Sequence, residues 1–161
     1  MRRILLACFG YILVYAAGGG SVVIKAKVFM AEVAVTDREV SRGLMYRQTL
    51  AKDRCMVLLG GEEALRPLRT WHHLIALDVA WVDQDGQVVE VSAHTPPCRT
   101  AKAEDCPAHG GSVSARHVVE FPAGTFHRLG LKKGDRLGWE LTLDDGRIVR
   151  GGQALPKSKR K

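Results

Sequence analysis

The sequence lacks most of what would mark a nucleotide-binding enzyme or a nucleic-acid-binding protein. No Gly-rich phosphate loop precedes a helical pattern, so no nucleotide cradle is expected. Ser112 and Ser114 lie outside any nucleophile-elbow pattern, and no nucleophile completes a triad. Neither an internal repeat nor a second-domain linker interrupts the 161 residues, a length that suits one domain with short ends. A basic groove is missing as well. The formal charge is +7, but Arg2 and Arg3 at the start and Lys157, Lys159, Arg160 and Lys161 at the end supply all but one of those charges. The stretch between them is close to balanced, so no nucleic-acid footprint is implied. Residues 152–161 read as a solvated basic tail.

Charge is also absent from Ile4 to Ile24. Behind Arg2 and Arg3, the apolar run Ile4 to Ala17 has the length of a signal h-region. Val14-Tyr15-Ala16 places small or apolar residues where a signal peptidase reads. An uncleaved anchor is one rival, because about 20 uncharged residues can cross a bilayer, and a buried cytosolic strand or helix is the other. Three consecutive glycines weaken that helix. Residues 1–26 are therefore expected to be a signal peptide or membrane anchor, ending in a Gly-rich linker that begins Gly18-Gly19-Gly20-Ser21. Leu5-Leu6-Ala7-Cys8 matches a lipoprotein cleavage box, but the apolar run before Cys8 is too short for a normal signal. Either export route places the domain in the periplasm or cell envelope, with membrane association through the N-terminal segment as one form of it.

What is present is β-like. Lys27 to Val35, Cys55 to Leu59, Leu77 to Val82, Gln87 to Ser92, Ala115 to Phe121 and Arg136 to Leu143 read as strands. Asp83-Gln84-Asp85-Gly86 and Asp144-Asp145-Gly146 read as hairpin turns, the second returning through Arg147 to Val149. A short helix is expected over Arg38 to Arg47, capped near Thr36-Asp37 and containing Gly43. Another is expected over Pro122 to Leu129, stopped by Gly130. Many short strands with regular turns predict a mainly β domain over residues 27–151. Its expected form is a small β-sandwich or partly closed barrel of mostly antiparallel strands with two short helices.

The long loop His94 to Ser114 holds Cys98 and Cys106, eight positions apart. In an oxidising compartment that spacing suits a disulfide, with about 2 to 3 kcal/mol from loop closure. Cys55 reads as a small buried hydrophobe. His94, Cys98, Cys106 and His109 offer a competing reading as a zinc site, since two imidazoles and two thiolates complete a tetrahedral set. His72 and His73 are adjacent. On a strand they would face opposite ways, one buried and one exposed, so they would not share an ion.

Arg42-Gly43-Leu44-Met45-Tyr46-Arg47 resembles the RGLM-aromatic-R signature of the domain of unknown function 192 family. Leu77-Asp78 with the following apolar strand and Asp83-Gln84-Asp85-Gly86 resembles the family's central block. Pro97-Cys98, Asp105-Cys106-Pro107, Pro122-Ala123-Gly124 and the block Leu129 to Arg136 follow in the family's order. The resemblance covers roughly Lys27 to Leu143. It implies a compact, exported β-sandwich-like domain and brings no established activity. The chain also departs from the pattern. Thr70-Trp71-His72-His73 stands where relatives usually have Met-Lys-Asn-Thr, and Ala76 replaces a proline.

Arg42, Arg47, Asp78 and Asp135 match the family's charged positions. Arginine forks that fix the fold are one account of them, and a cleft for a polar or anionic ligand is the other. Trp71, His72 and His73 join Arg42, Arg47 and Asp78 as candidate binding residues. The expected function is a non-catalytic envelope module that binds an envelope partner or small polar ligand without a cofactor. The alternative is a metal-assisted hydrolase using His72 or His73, Asp78 and the loop histidines.

Overall fold

The computed structural model describes residues 18–152. Sequence expectations for 1–17 and 153–161, including the export segment and nearly all of the basic tail, lie outside the described residues. Eight strands form one sheet in the order β5-β4-β6-β3-β2-β1-β7-β8. They are β1 (Gly19–Ile24), β2 (Lys27–Ala34), β3 (Arg54–Leu58), β4 (Leu77–Val82), β5 (Val88–Thr95), β6 (His117–Pro122), β7 (Leu137–Thr142) and β8 (Ile148–Gly152). Every pairing is antiparallel except that of β2 with β3. Two short helices, α1 (Asp37–Arg42) and α2 (Thr125–Leu129), complete the mainly β fold.

Of the two expected β architectures, the partly closed barrel is the one formed: the sheet curls into a half-barrel. The start of β5 meets the start of β7, where Val88 N–H donates to Asp135 O and Leu137 N–H donates to Gly86 O, both at 2.8 Å. Glycine permits this approach, because a Cβ on Gly86 would lie 2.5 Å from the Leu137 O. Strand alternation divides the apolar residues into two clusters. The larger one lines the inner face with Val22, Ile24, Phe29, Val57, Val119, Phe121 and Trp139. The smaller one lies on the outer face, where Leu44, Met56, Leu58, Leu77, Val79, Trp81 and Val118 pack together.

Three sequence expectations are corrected. Gly19–Ile24 is not a linker. It is β1, paired with β2 on one side and β7 on the other, with Val22 and Ile24 fully buried. The domain therefore begins before Lys27. Second, the first helix stops at Arg42 rather than Arg47. Thr36 and Glu39 form a capping box at its start, and Gly43 ends it with φ 41° and ψ −128°, a conformation that suits glycine. Third, Pro122 belongs to β6, and α2 begins at Thr125.

Candidate functional site

An open cleft lies on the outer face, between α1, β3, β6 and the connection before β4. Val40, Ser41 and Met45 form one wall. Leu58 and Val118 form the floor, where they pair across β3 and β6. Leu65, Arg66, Leu68, Arg69 and Trp71 form the opposite wall, with Ala103 from the cysteine loop at its end. The cleft has a volume of about 560 Å3. An adjoining hollow shares Val40, Leu59 and Arg66 with it and adds Asp37 and Glu62.

The second wall is held by the long loop. Backbone bridges join Ala64 to Ala115, Leu68 to His109 and Trp71 to Cys98. The Cys98 and Cys106 sulfurs are bonded, with Cα atoms 5.9 Å apart. Around this disulfide, Trp71 Nε1 donates to Thr100 O at 3.1 Å, and an Arg69 Nη1 donates to Cys106 O. Arg66 donates to the Ala115 and Glu62 carbonyls at 3.1 and 2.7 Å. Both guanidiniums thus bond main-chain carbonyls. Among the described residues neither has a carboxylate partner within ion-pair distance.

Next to the cleft, three rings lie in a row from Trp71. Trp71 and His72 have centroids 3.8 Å apart, and His72 and Tyr46 have centroids 4.8 Å apart. Both His72 and Tyr46 hold positive φ, 55° and 60°, which is uncommon outside glycine. Tyr46 N–H donates to His72 O at 2.8 Å, tying the two turns together. Histidine tolerates that backbone better than most side chains do, and at this turn its ring lies between those of Trp71 and Tyr46.

The expected binding residues do not converge. Only Trp71 lines the cleft. Arg42 is exposed at the end of α1. Arg47 forms an ion pair with Glu32 at 2.5 Å. Asp78 faces the inner side of the sheet, opposite the cleft, because it pairs with Phe121 in register. It is fully buried and accepts the N–H groups of His94 at 2.8 Å and Phe126 at 2.7 Å. It therefore braces the β5 end to α2. Asp135 accepts the Lys132 N–H at 2.8 Å and pairs with Lys25 at 3.0 Å. His72 and His73 are not on a strand. His72 is half-buried in the ring stack and His73 is 2% exposed.

The four proposed zinc ligands do not assemble either. Both thiols are consumed by the disulfide, and the His94 side chain is 64% exposed beside Asp78. Among the described residues no group of three or more His, Cys, Asp or Glu side chains is placed to hold a metal ion. Cys55 is buried in the inner cluster, as expected, and desolvation followed by the nearby Glu32 charge pushes its thiol pKa well up.

Sequence reasoning missed Glu120. It is fully buried, and neither carboxyl oxygen has a hydrogen-bond partner. Desolvation pushes its pKa up to about 8. His73 Nε2, also without a partner, lies 3.9 Å from Glu120 Oε1. Desolvation lowers the His73 pKa. The available signal was a glutamate inside the apolar run His117-Val118-Val119-Glu120-Phe121, since such a run predicts a strand covered on both faces.

These features define a single-domain β half-barrel with an apolar, cation-edged cleft on its outer face and no assembled catalytic set among the described residues. The chain belongs to the domain of unknown function 192 family, described as uncharacterized ACR, whose model matches residues 21–139. Two solved structures are similar. One, a protein of unknown function from Novosphingobium aromaticivorans, is 27% identical with a TM-score of 0.65, over 75% of this chain and 84% of that one. The other, a putative transcription regulator from Sinorhizobium meliloti, is 27% identical with a TM-score of 0.64, over 78% of this chain and 95% of that one. No curated protein matches.

Proposed function

We propose that this protein is an exported, non-catalytic binding domain whose ligand is a small amphipathic anion held in the outer-face cleft. The observation that carries the reading is the convergence of Met45, Trp71 and Ala103, from three separated blocks, on one apolar cleft with Arg66 and Arg69. A volume of about 560 Å3 suits a small molecule, since such sites usually span about 300–1,000 Å3. Aliphatic side chains and Trp71 suit an apolar body. Arg69, exposed and without a carboxylate partner among the described residues, suits an anionic head. The near-neutral charge of the domain favours such a ligand over nucleic acid.

Export is supported by the uncharged run behind Arg2 and Arg3 and by the Cys98–Cys106 disulfide, which persists best in an oxidising compartment. A signal cleavage after Ala16 would leave β1 whole.

The cleft is tested by calorimetry of the disulfide-intact protein with dodecanoate and, in parallel, dodecyltrimethylammonium. Dodecanoate binds, the cation binds at least tenfold more weakly, and Trp71→Ala and Arg69→Gln each weaken dodecanoate about tenfold, the equivalent of about 1.4 kcal/mol. Equal binding of the two detergents removes the anionic head from the reading. Binding of neither removes the cleft. Terminal sequencing of the expressed protein tests export, with Ala17 as the expected first residue. The intact chain in the cytosol overturns it.

A further inference from the structure

We propose that Glu120 and His73 form a buried single-proton site beneath the Gly43 turn, and that losing its proton loosens the α1 wall of the adjacent cleft. The coupling to the cleft rests on the binding role proposed above. The proton site itself rests on the packing alone.

Three of the buried polar atoms without partners meet at this one place: His73 Nε2 and both Glu120 oxygens. The 3.9 Å between His73 Nε2 and Glu120 Oε1 is beyond a hydrogen bond. Glu120 sits on β6 between Met56 of β3 and Val79 of β4, and neither neighbour offers a donor or a charge. Gly43 lies against it at the end of α1, where an added Cβ would stand 3.5 Å from Oε2. Beyond Met56 in the same cross-sheet row, Glu32 is occupied by Arg47. Among the described residues, His73 is therefore the one ionisable base within ion-pair distance of Glu120.

A pair so enclosed holds one proton with least cost as a neutral acid beside a neutral imidazole. An ion pair here would need more hydrogen bonds than the site supplies. Removing the proton leaves a dry carboxylate without a donor, and such a group has to gain water or another partner. The thinnest cover is Gly43, which has no side chain and holds a glycine-favoured backbone. Opening that turn moves the chain on both sides of it, with Val40 and Ser41 before and Met45 after, and these three line the cleft. Val118 of the cleft floor is on the same face of β6 as Glu120, two residues away, so proton site and cleft share a wall.

The direction of the pH effect follows from linkage. A folded carboxyl raised from 4.5 to about 8 gives stability that is intact below 4.5 and lost as pH rises toward 8. His73 is lowered from 6.5, so its contribution is intact above 6.5 and lost as pH falls below it. His117, lowered to about 4 by burial, then by Arg116 and Arg66, acts in the same acid range as His73. Glu39, Asp135 and Asp145 are held below the ordinary carboxyl range. Between pH 6.5 and 8 the Glu120 effect therefore stands apart from these groups.

The test is denaturant unfolding of the disulfide-intact protein at half-unit steps from pH 6.5 to 8.5, for the wild type and Glu120→Gln. The wild-type folding constant falls by up to about tenfold per pH unit to pH 8, whereas that of E120Q stays level. Parallel pH profiles overturn the proton site. Dodecanoate titrations over the same range read the coupling: affinity falls with pH in the wild type and not in E120Q. A pH-independent affinity overturns the coupling. Failure of dodecanoate to bind at any pH overturns the cleft reading, while the unfolding profiles still decide the proton site. If E120Q does not fold, infrared spectra of the wild type decide it. A protonated-carboxyl C=O band at pH 7 that disappears at alkaline pH supports the site, and its absence at pH 7 overturns it.

Discussion

Asp78→Asn separates a structural aspartate from a ligand-binding one. The carboxylate is fully buried on the inner face, and each oxygen accepts one main-chain N–H, from His94 at 2.8 Å and Phe126 at 2.7 Å. Hydrogen bonds to a buried charged group contribute about 1.5–3 kcal/mol each. An asparagine keeps one acceptor oxygen but turns an NH2 toward the other N–H, so one bond is lost and two donors face each other. The expected cost is about 2–4 kcal/mol, or a fall in Tm of about 10 °C for a domain of this size. His94→Ala is the control. It keeps the main-chain donor and removes a side chain that is 64% exposed, so its effect, including alanine at the His94 φ of 51°, stays within about 1 kcal/mol. Urea denaturation at pH 7 with calorimetric melts measures both variants. If D78N unfolds like the wild type but no longer binds dodecanoate, Asp78 is a ligand contact and its assignment as a brace is refuted.

Two further substitutions probe the walls around the cleft. Replacing Cys98 and Cys106 by serine costs about 2–3 kcal/mol through loop closure. It also weakens dodecanoate, because Trp71 and Arg69 bond to the loop that the disulfide fixes. Urea melts and calorimetry read the two effects, and unchanged affinity would detach the loop from the site. Gly43→Ala costs about 1–3 kcal/mol because alanine resists the backbone at φ 41° and ψ −128°. The added Cβ itself finds ordinary contact 3.5 Å from Glu120 Oε2. An unchanged Tm would show that the Gly43 turn does not hold this conformation in solution.

Much of the fold was legible because its strands alternate or run apolar between recognisable turns. Leu77–Val82 was placed to the residue, and the two Asp-Gly turns closed hairpins where expected. The helix cap read at Thr36-Asp37 marked the start of α1, where the structure shows a capping box with Glu39. Its end was missed because Leu44 and Met45 continue the helical spacing beyond Gly43, and apolar periodicity does not report a backbone break. The error at β1 has a different cause. Val22, Val23 and Ile24 make an ordinary buried strand, but Gly19 and Gly20 lower its local preference and the apolar run before it blends into it. Gly20 is needed there because a Cβ would lie 2.1 Å from Glu140 O. That contact comes from β7, more than a hundred residues away, and no local pattern announces it.

The candidate site was legible in its parts and hidden in its assembly. The cysteine pairing followed from spacing, and the block at residues 70–73 was singled out by its departure from the family pattern. Which residues share a surface depends on the parity of each strand. Asp78 and Val79 are neighbours in sequence, but one braces the inner face and the other packs outside beside Glu120. The charged family positions drew attention because they are charged, although Arg47 and Asp78 are already occupied by Glu32 and by main-chain donors. Arg69 is the more informative cation: its contact is a carbonyl that the disulfide loop holds in place, which leaves its charge without a carboxylate among the described residues. By the same logic Glu120 matters more than the matched acids, because the fold buries it and supplies nothing to bond it. Function is better sought in such unpartnered groups than in matched charges: Arg69 lines the cleft, and Glu120 lies buried behind the Gly43 turn, between the cleft-lining residues Ser41 and Met45.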